Sequence, residues 1–189
     1  AIEHLANVRG SSCYYIDLDP RFVKKLLSNK QYDVAKRILE DKRDIVQNAI
    51  DLAKLLKFET PRVAVLSAAE HFNSNLESST DAAVLCKMHE RQQITGGDLD
   101  GPMTLTAAIK PEVAKRIYPE SSVAGRANIL MVPNLEAANM LVRQLAHLSH
   151  AEIAGIVLGC KVPVILSNPT DGARTRVASV ALARLLVKA

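Results

Sequence analysis

The chain has 189 residues, of which 48% are hydrophobic and 4% aromatic, and it contains no tryptophan. This composition excludes a disordered chain and suits buried parallel strands packed against alanine-rich helices. The 24 lysines and arginines exceed the 20 aspartates and glutamates by a formal charge of +4. These basic residues are scattered and are not interleaved with aromatic residues, so we expect no nucleic-acid-binding face.

Cysteine and histidine positions indicate neither a disulfide framework nor a metal site. Cys13, Cys86 and Cys160 lie far apart in the sequence, and His71 and His89 each lack a second ligand at a useful spacing. No stretch approaches about 18 consecutive apolar residues, and the first residues carry charges instead of an apolar signal core. We therefore expect a cytoplasmic protein with no metal and no membrane contact.

The first predicted elements are helical, and a buried strand follows them. Residues 17–20 predict a turn and residues 21–27 a short helix. Apolar residues at helical spacing then predict a long amphipathic helix over residues 31–56, with a break near Asp41 left open. The apolar run over residues 62–67 (RVAVLS) is typical of a buried parallel strand.

The remaining predicted elements continue this alternation of helices and strands. They are a helix capped by Thr80 and ending near residue 91, a strand over 96–100, a turn at 100–102, a helix over 106–117, a strand over 127–132, a helix over 133–148, two adjacent short strands over 155–158 and 162–167, and a closing helix over 170–187. Such alternation predicts an α/β fold, in which a mostly parallel sheet carries helices on both faces.

Polar segments follow several of the predicted strands, at the edge of an open parallel sheet where ligands gather. They are residues 67–73, 100–102, 133–139 and 167–172. The last segment is the best phosphate candidate, because a polar loop that opens a helix presents backbone N–H donors, with Arg174 and Arg176 one turn further on. Helix capping uses the same donors, so a capping role stays open for Asn134 and Thr170.

Six stretches from about Lys42 onward carry a family resemblance. They are DIVQNAIDLA (44–53), PRVAVLSAAEHFN (61–73), DAAVLCKMHERQQITGG (81–97), DGPMTLTAAI (100–109), VAGRANILMVPNLEAAN (123–139) and GIVLGCKVPVILS (155–167). In this order and spacing they resemble the phosphate acetyl/butyryltransferase family. The resemblance implies a three-layer α/β/α fold of the isocitrate/isopropylmalate-dehydrogenase type, usually dimeric, with its site in a cleft between two domains. It also implies an unplaced segment over residues 1–41, an acyltransferase-like α/β domain over 42–189, and a missing N-terminal part.

The resemblance further implies a reaction and the residues that carry it. The reaction moves an acetyl or other short acyl group between coenzyme A and inorganic phosphate, with the coenzyme A ester as substrate and no cofactor. In the family a Ser-Arg pair follows the last strand, and here it falls on Asn168-Pro169. In acetyl-specific members an Asp also helps to deprotonate the coenzyme A thiol, and its position falls near Thr175 here. Asp171 or Arg174 would be partial replacements if the register shifts by a few residues. We expect catalytic roles for Ser167, Asn168 and Asp171, and substrate contacts from Ser67, Glu70, Asp100, Asn139 and Arg174.

Two other hypotheses stay open. The chain also resembles the non-catalytic, acyl-CoA-sensing domain at the end of some malic enzymes, because that domain lacks the Ser-Arg pair and the tetrapeptide GRAN at residues 125–128 favours it. A generic doubly wound domain that binds another phosphorylated ligand is the third hypothesis, since fold alone does not determine function. For the enzyme, the expected partners are acyl-CoA, phosphate and a second copy of the chain.

Overall fold

The computed structural model describes residues 34–188, so the turn and short helix predicted over residues 17–27 lie outside the described residues. In chain order the elements are α1 (Val34–Leu55), β1 (Arg62–Leu66), α2 (Glu77–Glu90), β2 (Asp98–Met103), α3 (Leu105–Ile109), α4 (Pro111–Ile117), β3 (Ile129–Met131), α5 (Leu135–Leu148), β4 (Ile156–Val157), β5 (Val164–Ile165) and α6 (Ala173–Lys188). The predicted α/β class is confirmed.

The first three strands form a parallel sheet in the order β2-β1-β3, with β1 at the centre. Val63 in β1 pairs with Leu99 on one side and with Ile129 on the other. The two short strands β4 and β5 are adjacent, as predicted, but they pair in antiparallel fashion and form a separate sheet. The parallel sheet therefore ends at β3 within the described part of the chain, and β4 and β5 form a second unit.

Side chains of β1 alternate between two hydrophobic clusters, one on each face of the parallel sheet. Val63 and Val65 pack in a cluster with residues of α1 and α2. Ala64 and Leu66 pack in a second cluster with residues of α3 and α4. Because successive side chains of a strand point to opposite faces, helices cover both faces of this sheet. The predicted layering is therefore confirmed, whereas the dehydrogenase-type fold name stays a prediction.

The second unit is attached to α1. Leu52 of α1 packs with Ile156 of β4, with Leu158 just after it and with Ala183 of α6 in a third buried cluster. Helix α1 therefore packs against β4 and α6, the elements before and after β5. No helix in residues 34–188 is long and apolar enough to cross a membrane.

The predicted turn at residues 100–102 is wrong, because these residues continue strand β2. Asp100 pairs with Ala64, and after a register shift Met103 pairs with Leu66. The peptide bond between Gly101 and Pro102 is cis. Aspartate, glycine and proline together are typical of a turn, but proline is also found at bulges and on edge strands. Pairing with β1 therefore outweighs the local composition.

Three helix predictions also need correction. The single helix predicted over residues 106–117 is divided into α3 and α4, because Pro111 has no N–H group and occupies the first turn of a new helix. Helix α2 begins at Glu77, so Thr80 lies within it and is not its cap. The break left open near Asp41 does not occur, since α1 is continuous through that residue.

Candidate functional site

An open cleft of about 640 Å³ lies beyond the carboxyl ends of β1 and β2. Residues 68–74, which follow β1, form one wall, and Thr104, which follows β2, also lines the cavity. We refer to this cavity as the β1–β2 cleft. It occupies the sheet edge where ligands of parallel α/β proteins gather. The polar segment predicted over residues 67–73 therefore borders a cavity large enough for a small ligand.

Two serines hold the loop that forms this wall. Oγ of Ser67, a buried residue, lies 3.0 Å from Oγ of Ser78 and accepts a hydrogen bond from the Ala69 N–H at 3.3 Å. Ser79 is completely buried, and its Oγ accepts from the Asn73 N–H at 2.9 Å. The Ser67 hydroxyl, directly after β1, and the Ser79 hydroxyl, in α2, therefore both hold the backbone of this loop. A contact between Ser67 and substrate stays a prediction.

Glu70 lines the cleft, and Tyr118 holds its backbone. The Tyr118 hydroxyl lies 2.5 Å from the carbonyl oxygen of Glu70 and 2.8 Å from that of Pro102. Burial, followed by the carboxylates of Glu70 and Asp100, raises the pKa of Tyr118 to about 12. The hydroxyl is thus a proton donor at neutral pH, and it links the loop after β1 to strand β2. Sequence reasoning missed Tyr118, because nothing next to it in the chain indicates a contact with Glu70.

Asp100 connects strand β2 to the loop before β3. Its Oδ1 accepts from the Gly101 N–H at 2.8 Å, and its Oδ2 accepts from Oγ of Ser121 at 2.5 Å. The same serine oxygen accepts from the N–H groups of Val123 and Ala124 at 3.2 and 3.0 Å. Asp100 therefore ties strand β2 to the loop before β3. Its contact with substrate stays a prediction.

The predicted catalytic residues lie together in the loop between β5 and α6. Asn168 Oδ1 accepts from the Thr170 N–H at 3.1 Å and from Thr170 Oγ1 at 2.9 Å. Asp171 Oδ2 accepts from the Asn168 N–H at 2.6 Å. Ser167 is exposed at the start of this loop. We refer to residues 167–172 as the 167–172 loop.

The other two predicted binding residues lie outside both groups. Asn139 is exposed on α5. Arg174 is exposed at the start of α6, and its Nη1 lies 2.9 Å from Oε1 of Glu152. Within residues 34–188, no hydrogen bond or ion pair joins the β1–β2 cleft to the 167–172 loop. The structure thus gathers six of the eight predicted residues into two sets: Ser67, Glu70 and Asp100 on or after β1 and β2, and Ser167, Asn168 and Asp171 in the 167–172 loop.

Residues 34–188 contain no group of three or more histidine, cysteine, aspartate or glutamate side chains arranged to hold a metal ion. His89 Nδ1 lies 3.0 Å from the carbonyl oxygen of Ile94. Burial, followed by the charge of Asp100, raises the pKa of Cys86 to about 12, and its thiol donates to the Gly101 carbonyl at 3.3 Å. Cys86 is therefore a packed thiol at neutral pH. The expected absence of a cofactor stays a prediction.

A family model described as Phosphate acetyl/butaryl transferase matches residues 38–184. The chain belongs to this family. It is 53% identical over 147 residues to the phosphate acetyltransferase of Rhizobium meliloti, covering 78% of this chain and 46% of that protein. It is 40% identical over 147 residues to the phosphate butyryltransferase of Clostridium beijerinckii, covering 78% of this chain and 49% of that protein.

A solved structure supports the same assignment. The branched-chain phosphotransacylase from Enterococcus faecalis V583 matches with a TM-score of 0.70 at 33% sequence identity, covering 79% of this chain and 53% of that one. The family resemblance drawn from the sequence is confirmed. The chain spans about half the length of the curated relatives it matches.

Proposed function

We propose that the chain is part of a phosphate acyltransferase that moves a short acyl group between coenzyme A and inorganic phosphate. The observation that carries this proposal is the 53% identity to a phosphate acetyltransferase over 78% of the chain. Phosphate butyryltransferases are similar to the same region at 37 to 40% identity. We therefore propose an acetyl to butyryl acyl group and leave its length to the assay.

In the proposed reaction, a phosphate oxygen attacks the carbonyl carbon of the thioester. A carbon–oxygen bond forms, the carbon–sulfur bond breaks, and coenzyme A leaves as a thiolate that takes up a proton. The reverse reaction needs a base to remove that proton before the sulfur attacks the acyl phosphate. Both directions need donors for the negative charge that develops on the carbonyl oxygen. Coenzyme A enters as a substrate, and we propose no metal or redox cofactor.

The two sets of residues suit different parts of this chemistry. The β1–β2 cleft, bordered by Glu70 and Thr104, is of a size that suits part of a coenzyme A ester. In the 167–172 loop, the exposed Ser167 hydroxyl is a donor for the carbonyl oxygen. The Asp171 carboxylate, held by the Asn168 N–H, is a candidate base for the thiol proton. The assignment of Ser167, Asn168 and Asp171 as catalytic residues belongs to this proposal.

The acyl-CoA-sensing alternative lacks support, since the relatives from Rhizobium meliloti and Clostridium beijerinckii and the Enterococcus faecalis structure all have enzyme names. The Asn168-Pro169 departure still provides a sharp test of catalytic competence. We expect the double variant Asn168→Ser, Pro169→Arg to raise turnover, because an arginine adds charge-assisted donors to the loop. A variant that folds, binds coenzyme A esters and shows no turnover would argue for a sensing role.

The primary test follows free thiol release from acetyl-, propionyl- and butyryl-CoA in the presence of phosphate, with a thermal shift measured for each ester. We expect turnover with at least one ester, and the rates rank the acyl groups. Thermal stabilisation without turnover would support the sensing module instead. No turnover and no stabilisation with any ester would overturn the proposal and favour a domain for another phosphorylated ligand.

We also propose that the protein is a cytoplasmic homodimer. Apolar side chains of β5 and α6 support self-association, because Val164 and Ile165 of β5 are 37% and 41% exposed, and Val177 and Val180 of α6 are 65% and 55% exposed. Exposed apolar patches of this kind mark interaction surfaces. Light scattering of the purified chain should give twice the mass of one copy, and a monomer at assay concentration would contradict the dimer.

A further inference from the structure

We propose that Arg143 and Arg176 form an anion-binding site at residues 168–170, replacing the arginine that position 169 lacks. Pro169 has neither a charge nor a donor there, so a phosphate group in this loop must be held by other cations. The identity of the anion rests on the proposed function, whereas the site itself rests on the following contacts.

Two guanidinium groups approach the same turn from different helices. Arg143 of α5 donates from Nη1 to Oγ1 of Thr170 at 3.1 Å. Arg176 of α6 has its Nη2 3.5 Å from the carbonyl oxygen of Pro169. Pro169 and Thr170 are consecutive, and consecutive Cα atoms are about 3.8 Å apart. The two guanidinium groups therefore contact consecutive residues of one turn.

A chain of hydrogen bonds holds the first of these groups in place. Oγ1 of Thr170 accepts from Arg143 and donates to Oδ1 of Asn168 at 2.9 Å. Arg143 is also half-buried, so its guanidinium is less free to move than that of a fully exposed arginine. Each arginine has five N–H donors, and these contacts use only one per residue. Donors remain on both groups for a further acceptor.

Neither arginine at this turn makes an ion pair within the part of the chain that the structure describes. The neighbouring Arg174, by contrast, is paired with Glu152. The carboxylate of Asp171 accepts from the Asn168 N–H. Planar guanidinium groups with free donors match the geometry of phosphate oxygens. This geometry suits an oxyanion, and with the proposed function it makes the ligand class a phosphate group, either free or carried by coenzyme A.

The experiment measures binding of inorganic phosphate to the 189-residue chain by isothermal titration calorimetry. We expect Arg143→Gln and Arg176→Gln each to weaken binding about tenfold or more, because each removes charge-assisted hydrogen bonds. The lysine variants at both positions should retain part of the affinity. Arg184→Gln is the matched control, since Arg184 is exposed on the same helix and the change removes the same charge. Circular dichroism checks that each variant folds.

Coenzyme A and pantetheine, which lacks phosphate, are titrated in parallel. Loss of phosphate affinity in the arginine variants supports a site for the free anion. Loss of coenzyme A affinity alone supports a site for its phosphate groups. The proposal is overturned if the parent binds neither probe, or if the double glutamine variant binds both as the parent does.

Phosphate binding that depends on both arginines in a chain without acyl transfer would uphold this site and refute the enzyme. Unchanged acyl transfer in the Arg143→Gln, Arg176→Gln double variant would refute this site and leave the enzyme proposal standing.

Discussion

The hydroxyl of Tyr118 lies between two backbone carbonyl oxygens, 2.5 Å from that of Glu70 and 2.8 Å from that of Pro102. The first carbonyl belongs to the loop that lines the β1–β2 cleft, and the second belongs to strand β2. A phenol has one proton, so it donates to one carbonyl at a time, and both acceptors favour its neutral form. Tyr118 therefore holds the wall of the cleft against the sheet from outside either element.

Tyr118→Phe should weaken the binding of coenzyme A esters. The phenyl ring keeps its packing, but the loop loses its link to β2, so we expect a higher KM with a smaller change in kcat. The free energy of unfolding should fall by about 1 kcal/mol, the net value of one hydrogen bond. Steady-state kinetics and urea unfolding measure the two effects. An unchanged KM in a folded variant would show that Tyr118 does not position the cleft.

The stability of the chain should fall at alkaline pH, in part through Tyr118. Burial raises the pKa of Tyr118 to about 12 in the folded chain, compared with about 10 in an unfolded chain. The folded state therefore keeps a proton that the unfolded state loses, so this contribution is complete below about pH 10 and disappears as the pH rises through about 12. Urea unfolding from about pH 9 to about pH 11 should show a smaller loss for Tyr118→Phe than for the parent. An equal loss of unfolding free energy in the parent and in Tyr118→Phe would show that the raised pKa of Tyr118 does not contribute to this pH dependence.

Two cysteines should differ in reactivity. Cys160 is exposed, whereas Cys86 is partly buried and burial raises its pKa to about 12. The thiolate is the reacting form, so iodoacetamide near neutral pH should modify Cys160 well before Cys86. Peptide mass spectrometry of the native chain follows each site, and unfolding in denaturant should remove the difference. Equal rates in the native chain would mean that Cys86 is accessible.

A part-buried ion pair joins the first two helices. Lys42 of α1 contacts Asp81 of α2, and their side chains are only 16% and 12% exposed. Lys42→Met should lower the free energy of unfolding by about 3 kcal/mol, because it leaves a carboxylate without its partner in a poorly hydrated place. Lys87→Met is the control, since its pair with Glu90 is 62% and 60% exposed and should contribute less than about 1 kcal/mol. Equal effects, measured by urea unfolding, would refute this ranking.

Gly101 of β2 should tolerate no side chain without loss of stability, because the backbone of β1 approaches it closely. A Cβ atom at Gly101 would lie 2.7 Å from the carbonyl oxygen of Val65, so Gly101→Ala must separate β1 from β2. We expect a loss of about 2 kcal/mol or more from such overpacking. At Gly172 a Cβ atom would meet nothing within 4 Å, so Gly172→Ala should change stability by less than about 0.5 kcal/mol. Thermal unfolding of both variants tests the contrast, which a tolerated alanine at Gly101 would contradict.

Much of the fold could be predicted from local patterns, where those patterns agree with tertiary packing. The apolar run in β1 marked a buried strand, since both of its faces are covered. The sequence predicts a helix start at residues 133–134, and Asn134 Oδ1 does cap that helix by accepting from the Ala137 N–H at 2.9 Å. The exception is the segment around Gly101, where turn-like composition lies in a strand. Composition there could not reveal the pairing with β1.

The candidate site was only partly predictable, because its key contacts join residues far apart in the chain. Residues 67–73 could be placed at a ligand-binding edge from their position after β1 alone. Tyr118 contacts Glu70 across 48 positions, and Arg143 contacts Thr170 across 27. No local pattern marks either contact, since a tyrosine after a helix and an arginine on a helix surface are ordinary. Such roles appear only once the elements are placed in space.

The most direct test of the central claim is phosphorus NMR of the chain mixed with acyl-CoA and inorganic phosphate. We expect a new acyl phosphate signal that grows in step with free thiol and requires phosphate, because phosphate is the nucleophile. Thiol release that is independent of phosphate, or no acyl phosphate from acetyl-, propionyl- or butyryl-CoA, would contradict it.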